Sequence, residues 1–470
     1  LALRERELTR RIAATHRQMD KALGKSQELY HKLEEELKWL KKSQTSFIAR
    51  LRKTHPEYAS IKYPKPFPIT ELRLSAHEAL IEYEITEKAT YAWLIRKGKV
   101  VKTLRLPVTR EDLEQKVRTY RSFFEGITRP EQLARFDPAQ GKALYDLLFK
   151  GFASSLRTRE EIILVPDEIL GVLPFEALVA ELPERIEMTR GQYGPCPQGV
   201  TYLGQLHPVR YTQSAAALTV TRLSGKEELP REKVLVIADP VFDPVSEGLS
   251  LAEAGGDQLR LMRAVTDSWD YEQEKEVAFF RLPGTARLAN SLRRSFRDKV
   301  DVLEREGATE WALRQSPLST YRYQVYATHG ILDDEVAYIQ QPALVLSQVG
   351  VDPEEPERDG FLTMTEVMGL NLRTELAALT ACNTGLGRNL SGEGVMGLGR
   401  AFQYAGARSV LMSLWSVESD STNLLTERFL SHLESGQEPV QALQRTRSEL
   451  RQEGYEHPFY WAGFILVGGR

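Results

Sequence analysis

The sequence predicts an α/β fold, a mostly parallel sheet with helices on both faces. Two observations predict it. Short apolar runs such as Lys233-Val-Leu-Val-Ile-Ala-Asp end at polar residues, as buried strands do, and amphipathic helical stretches separate most of them.

Taken in order, residues 5 to about 53 contain no proline and one glycine, and Ile12, Met19, Leu23, Leu33, Leu37, Leu40, Phe47 and Leu51 recur at helical spacing. Segment 1–60 is therefore read as an amphipathic helix or helical hairpin, serving as a linker, a coiled coil or the end of upstream helical repeats. Pro56, Pro64, Pro66 and Pro68 break it. A second segment, 70–230, opens with strands at Leu80-Ile-Glu-Tyr-Glu-Ile, Thr90-Tyr-Ala-Trp-Leu-Ile and Lys99-Val-Val-Lys-Thr-Leu, read as antiparallel. Helical stretches near 113–124 and 141–156 precede a buried strand at Glu161-Ile-Ile-Leu-Val. A third segment, 231–470, places strands at 233–239, Tyr323-Gln-Val-Tyr-Ala-Thr, Ala343-Leu-Val-Leu, Glu375-Leu-Ala-Ala-Leu-Thr-Ala, Arg408-Ser-Val-Leu-Met-Ser-Leu-Trp and Ala462-Gly-Phe-Ile-Leu-Val. Helices are expected near 283–298, 308–315, 394–405, 420–435 and 439–453.

Sixty-two basic against 65 acidic residues leave a net charge of −3, without the electrostatic footprint of a general nucleic-acid binder. No run of about 18 apolar residues marks a membrane span, and the charged start carries no apolar signal core. A cytoplasmic protein is expected. The first residue is Leu, so the chain reads as a piece of something longer.

Only two cysteines occur, too few for a disulfide framework or a cysteine-based structural zinc site. Cys196 sits in a turn-rich stretch and reads as a bystander. Cys382 follows the apolar run 375–381, and His329 follows the run 323–328. Functional groups gather where strands end at the carboxyl edge of an open α/β sheet, so neighbouring parallel strands would present these two side by side. A thiol is largely protonated at neutral pH, and an imidazole in reach supplies the thiolate. Gly330 leaves room beside the reacting carbonyl, where its N–H and that of Cys382 would form an oxyanion hole.

The stretches Tyr326-Ala-Thr-His-Gly and Leu379-Thr-Ala-Cys-Asn-Thr-Gly resemble the signature of CHAT domains, relatives of caspases and separases. The 53 residues from His329 to Cys382 match a caspase-like spacing of about 50. The phrases Leu282-Pro-Gly-Thr-Ala, Gly392-Glu-Gly-Val-Met-Gly-Leu-Gly-Arg-Ala-Phe, Gly406-Ala-Arg-Ser-Val and Ser413-Leu-Trp-Ser-Val extend the likeness. So do Val165-Pro-Asp and Leu173-Pro-Phe-Glu-Ala-Leu-Val, and the resemblance covers about residues 70–470. It implies a caspase-like catalytic module at 231–470, a related pseudo-protease module at 70–230, and a bacterial protein carrying tetratricopeptide repeats ahead of both. It also implies a cysteine endopeptidase acting on protein substrates, with no metal or organic cofactor, and regulated by a partner or by the upstream repeats. The alternative is a catalytically silent protein-interaction module.

Other motifs carry weaker readings. Gly392-x-Gly-x-x-Gly397 matches a dinucleotide fingerprint but begins ten residues after Cys382, and close helix packing explains it better. His432 and His457 stand outside any cluster with metal-ligand spacing. Asp333, Asp334 and Glu335 read as solvated loop charges, the other reading being a role in binding a basic substrate residue or calcium, with Asp334 the substrate-binding candidate. In separases, which resemble this chain around Leu414-Trp415, an acidic residue downstream of the tryptophan receives the arginine before the cut. Eight positions beyond Trp415 stands Asn423, and Asp420 lies out of that register. Asp420 and Asn423 are the remaining substrate-binding candidates.

Overall fold

The structure is a computed structural model that describes residues 8, 11, 15, 19, 27–54, 68–224, 229, 233–242, 279, 281–331, 341–352, 355–380, 392–417 and 419–469. It divides into two units, Leu1–Phe67 and Pro68–Arg470. The first contains the helix Gln27–Thr54, whose buried stripe of Leu33, Leu37, Leu40, Phe47 and Leu51 follows the expected periodicity. Leu8 joins Leu40, Phe47 and Leu51 in a small apolar cluster.

The second unit is organised by one eleven-stranded sheet. Its strands in chain order are β1 (Glu78–Ile85), β2 (Thr90–Arg96), β3 (Lys99–Leu106), β4 (Glu161–Val165), β5 (Val209–Tyr211), β6 (Val234–Pro240), β7 (Val300–Arg305), β8 (Tyr323–Ala327), β9 (Leu376–Leu379), β10 (Ser409–Ser413) and β11 (Phe464–Gly468). They lie in the order β7-β6-β8-β9-β10-β11-β5-β4-β1-β2-β3. Seven of the ten pairings are parallel, which makes the sheet mostly parallel, as expected; β1–β2–β3 form the expected antiparallel meander. Strands β4, β6, β8, β9 and β10 are buried throughout, the reason they read as continuous apolar runs.

Segments 70–230 and 231–470 thus share a single sheet. They meet where β11 pairs in parallel with β5, Val467 opposite Tyr211. Glu176 is fully buried at this seam, accepting hydrogen bonds from Tyr211 Oη (2.6 Å) and Arg447 Nη2 (2.8 Å). A buried carboxylate is tolerated there because both partners saturate it. One apolar core includes Ile81 and Phe175 from the first segment with Leu411 and Phe464 from the second.

Two helix packings lie in the second half of the chain. Pro283–Phe296, Ser419–Glu434 and Pro439–Gln452 pack in succession against one another, whereas Gly392–Tyr404 packs with Met364–Val367. The glycines of the latter helix serve close approach: a Cβ on Gly399 would lie 2.6 Å from Met412 Sδ of β10. Beyond that helix, Gly406 holds φ +115°, and a Cβ there would lie 1.9 Å from the Leu372 carbonyl oxygen.

Two expectations are corrected. The strand at Ala343–Val345 is outside the large sheet, forming the middle of a three-stranded antiparallel sheet with His329–Ile331 and Phe361–Thr363. The edge strand β7 falls where no strand was expected. Most of its residues are only half-buried, and Val-Asp-Val-Leu-Glu-Arg lacks the apolar density of its neighbours.

Candidate active site

Strands β6, β8, β9 and β10 run parallel, so their carboxyl ends share one edge of the sheet. The register of β8 on β9 sets Tyr323 opposite Leu376 and Tyr326 opposite Leu379. Each pair is offset by 53 residues, the separation of His329 from Cys382 in the sequence. The ladder continues past its last pair, the Thr380 N–H donating to the Tyr326 carbonyl at 3.2 Å. Cys382 itself lies outside the described residues, as does Asp334.

His329 opens the strand His329–Ile331, just past the end of β8. Thr328 is buried, and its hydroxyl donates to the Val345 carbonyl, which fixes the chain where it leaves the large sheet for the small one. The half-buried imidazole lies against two aromatic rings, Phe242 at a centroid distance of 4.8 Å and Phe279 at 5.6 Å. Phe242 belongs to a buried apolar cluster with Ile331, Ala343, Val345 and Phe361, against which Phe279 and Leu282 pack. Sequence reasoning did not select the two phenylalanines. The signal was that Phe242 stands two residues past the end of β6, the strand beside β8.

Gly330 is buried and pairs with Leu344. Its amide direction follows from the flanking bonds of the small sheet. Leu346 donates to Gly360 and Met364 donates to Pro342, each at 2.9 Å, so residues 342, 344 and 346 direct their polar groups toward strand Phe361–Thr363. Alternate residues of an antiparallel strand bond to opposite neighbours. Ala343 and Val345 therefore bond to Ile331 and His329, and Gly330 turns its N–H and C=O away from the ladder. Among the described residues no strand pairs along that side.

Asp420 and Asn423 sit at the start of helix Ser419–Glu434, facing helix Pro283–Phe296. Asp420 pairs with Arg287 at 2.6 Å, both side chains largely exposed. The Asn423 amide donates to the Gly284 carbonyl at 2.8 Å, tying the two helix starts together. The neighbouring Leu414-Trp415 loop is braced from the first segment. Arg121, 1% exposed, donates to the Leu414 carbonyl (2.9 Å) and to the Val172 carbonyl. Phe124 stacks on Trp415 with centroids 4.7 Å apart and 11° between planes, and Trp415 Nε1 donates to the Phe459 carbonyl at 3.1 Å.

The remaining candidates have structural roles. Cys196 lies buried in the hairpin of Met188–Gly191 with Gly194–Pro197, where burial, with Glu456 nearby, pushes its thiol up to about 12. Such a thiol is inert near neutrality. His457 is buried against Phe136 (5.0 Å), and its Nδ1 accepts the Phe459 N–H at 3.1 Å; burial drives the imidazole down to about 3. His432 contacts Glu449 at 2.9 Å, and buried His207 contacts the Glu160 carbonyl through Nδ1 at 2.8 Å. Among the described residues no helix is long and apolar enough to cross a membrane.

One charged cluster borders the small sheet. Glu310 is buried, and desolvation followed by the nearby Glu366 pushes its carboxyl up to about 8. Desolvation also raises Glu366, and Asp359 to about 7. Arg314 donates to Glu310 Oε1 at 2.7 Å and lies 3.4 Å from Glu366.

These elements define an α/β chain in which His329 follows the end of a strand whose parallel neighbour is offset by 53 residues. The CHAT domain model matches residues 138–469, from helix Pro138–Leu148 to the last strand, and this chain belongs to the CHAT domain family. It is 32% identical over 114 residues to tetratricopeptide repeat protein 28 of Mus musculus and to that of Homo sapiens, a match covering 24% of this chain and 5% of each relative. The chain thus spans about one-twentieth of the length of these curated relatives. Among solved structures, Saccharomyces cerevisiae separase in its securin complex aligns over 90% of this chain and 31% of that one, at 10% identity and TM-score 0.45. The arginine-specific cysteine proteinase gingipain R aligns over 76% and 74%, at 12% identity and TM-score 0.37.

Proposed function

We propose that this chain is a cysteine endopeptidase in which Cys382 attacks a peptide carbonyl and His329 carries the proton. The observation that supports this reading most is the register of β8 on β9, in which every pair shares the 53-residue offset of His329 and Cys382. Family membership supports it too. In the proposed reaction the imidazole accepts the thiol proton and sulfur bonds to the carbonyl carbon. The Gly330 and Cys382 amides hold the resulting oxyanion. Collapse expels the amine, which takes the proton from His329, and water then attacks the thioester with His329 again as base, releasing the acid and restoring the thiol.

Control by tetratricopeptide repeats or by a partner protein belongs to the same reading, supported by the likeness to tetratricopeptide repeat protein 28. The test is digestion of a proteome-derived peptide library, sequencing the new termini. Wild type is expected to generate a consistent set of cuts and Cys382→Ala none. No cuts by wild type, together with a Cys382 no more reactive than free cysteine, would instead favour a silent interaction module.

A further inference from the structure

Asp239 has three features that no local requirement of its strand explains. It is 1% exposed, it holds φ +46° without being glycine, and it sits where the pairing of β6 with β7 slips between Ala238 and Pro240. A bulge at a strand end re-aims a side chain, and a strained residue persists only where its surroundings over-determine it. Those surroundings are specific. The Asp239 N–H donates to Thr285 Oγ1 at 2.8 Å, and its carboxylate accepts from Arg281 Nε (3.0 Å) and Nη2 (2.7 Å), with Arg305 Nη1 at 3.4 Å.

The bidentate grip fixes Arg281, two residues beyond Phe279, whose ring lies 5.6 Å from that of His329. Phe242 follows Asp239 by three residues, lies 4.8 Å from the same imidazole and packs against Phe279 at 6.2 Å. The residue before it is pinned by the Gln348 N–H, which donates to the Val241 carbonyl at 2.8 Å. Among the described residues, the two rings against His329 thus belong to chain segments leading into or out of Asp239's contacts.

We propose that Asp239 is a positioning residue: through Arg281 it holds Phe279 against His329, so that two mutually packed aromatic rings act as a clamp on the imidazole's orientation. The proposal rests on the peptidase reading for its purpose but on described contacts for its geometry. An imidazole held by rings swings less about its side-chain torsions, and a base displaced by about 1 Å loses on the order of a hundredfold in rate.

The test uses the intact chain and two readouts. The first is the carbon-labelled imidazole resonance of His329, assigned by its loss in His329→Gln, which neighbouring ring currents displace. The second is the rate of iodoacetamide labelling of Cys382 across pH, with Cys196 as the internal reference. In Asp239→Asn, Arg281→Met and Phe279→Leu the His329 resonance is expected to move toward that of an unstacked histidine, and Cys382 labelling near pH 7 to slow about tenfold or more. Phe279→Tyr keeps a ring and should preserve both. Arg281 is half exposed, so Arg281→Met reports even where Asp239→Asn impairs folding. An unmoved resonance in Arg281→Met and Phe279→Leu overturns the clamp, and so does labelling that depends on His329 yet ignores all three variants. A resonance that moves while labelling is slow in wild type and indifferent to His329→Ala overturns the peptidase reading and leaves the clamp standing.

Discussion

Tyr326 and Leu379 face each other across two parallel strands, and His329 and Cys382 each follow three residues later in the sequence. A one-residue slip would turn every side chain to the opposite face of the sheet and undo the close packing on both. Tyr326 and Leu379 are both fully buried, so the pairing is held by the core.

The first consequence is selective alkylation. Cys196 is buried with its thiol pushed up to about 12 and should resist iodoacetamide at pH 7. Cys382 is expected to label first and faster than free cysteine, by mass spectrometry of timed samples. Equal, slow labelling of both would contradict an activated Cys382.

How much of this was legible beforehand depended on whether the information was local. Strands β6, β8, β9 and β10 carry apolar runs dense enough to be read directly, and their polar exits pointed to the edge where His329 emerges. The pairing of Val467 with Tyr211 joins positions 256 residues apart, and nothing in either segment encodes it. The same holds for Asn423, whose amide serves Gly284, 139 residues away. Ala343–Val345 read as a strand because it is one, but the sheet it joins is chosen by its partners at 329–331 and 361–363.

Arg121 should prove costly to replace. Arg121→Met removes the donor to the Leu414 and Val172 carbonyls and leaves both buried groups unpaired. A loss of about 3 kcal/mol is expected by urea denaturation. A change within experimental error would show that the brace contributes nothing.

His457 sets an acid limb on stability. Its imidazole falls from an ordinary 6.5 to about 3 in the folded chain, so the unfolded chain binds the extra proton. Its contribution is complete above pH 6.5 and is lost as pH falls toward 3, about 5 kcal/mol in full. His457→Asn keeps an acceptor for the Phe459 N–H without titrating, and its melting temperature should fall less between pH 7 and 4 than that of wild type.

Glu310 acts with the opposite sign. Its carboxyl rises from 4.5 to about 8 on folding, so the folded chain retains a proton that the unfolded chain has released. Stability from this group is present below pH 4.5 and is lost as pH climbs to 8. Glu310→Gln keeps the acceptor for Arg314 and should stabilise the chain more at pH 9 than at pH 5, measured by thermal melts. A gain independent of pH would contradict the assignment.

Whether His329 and Cys382 work as one unit is read from a double-mutant cycle on peptide-library cleavage. Cys382→Ala removes the sulfur that forms the acyl bond, and His329→Ala removes both the base and the acid for the leaving amine. Members of one catalytic unit are strongly non-additive, so the double variant should be scarcely slower than either single one, with each near the uncatalysed rate. Undiminished cleavage by Cys382→Ala, or losses that multiply in the double variant, would contradict it.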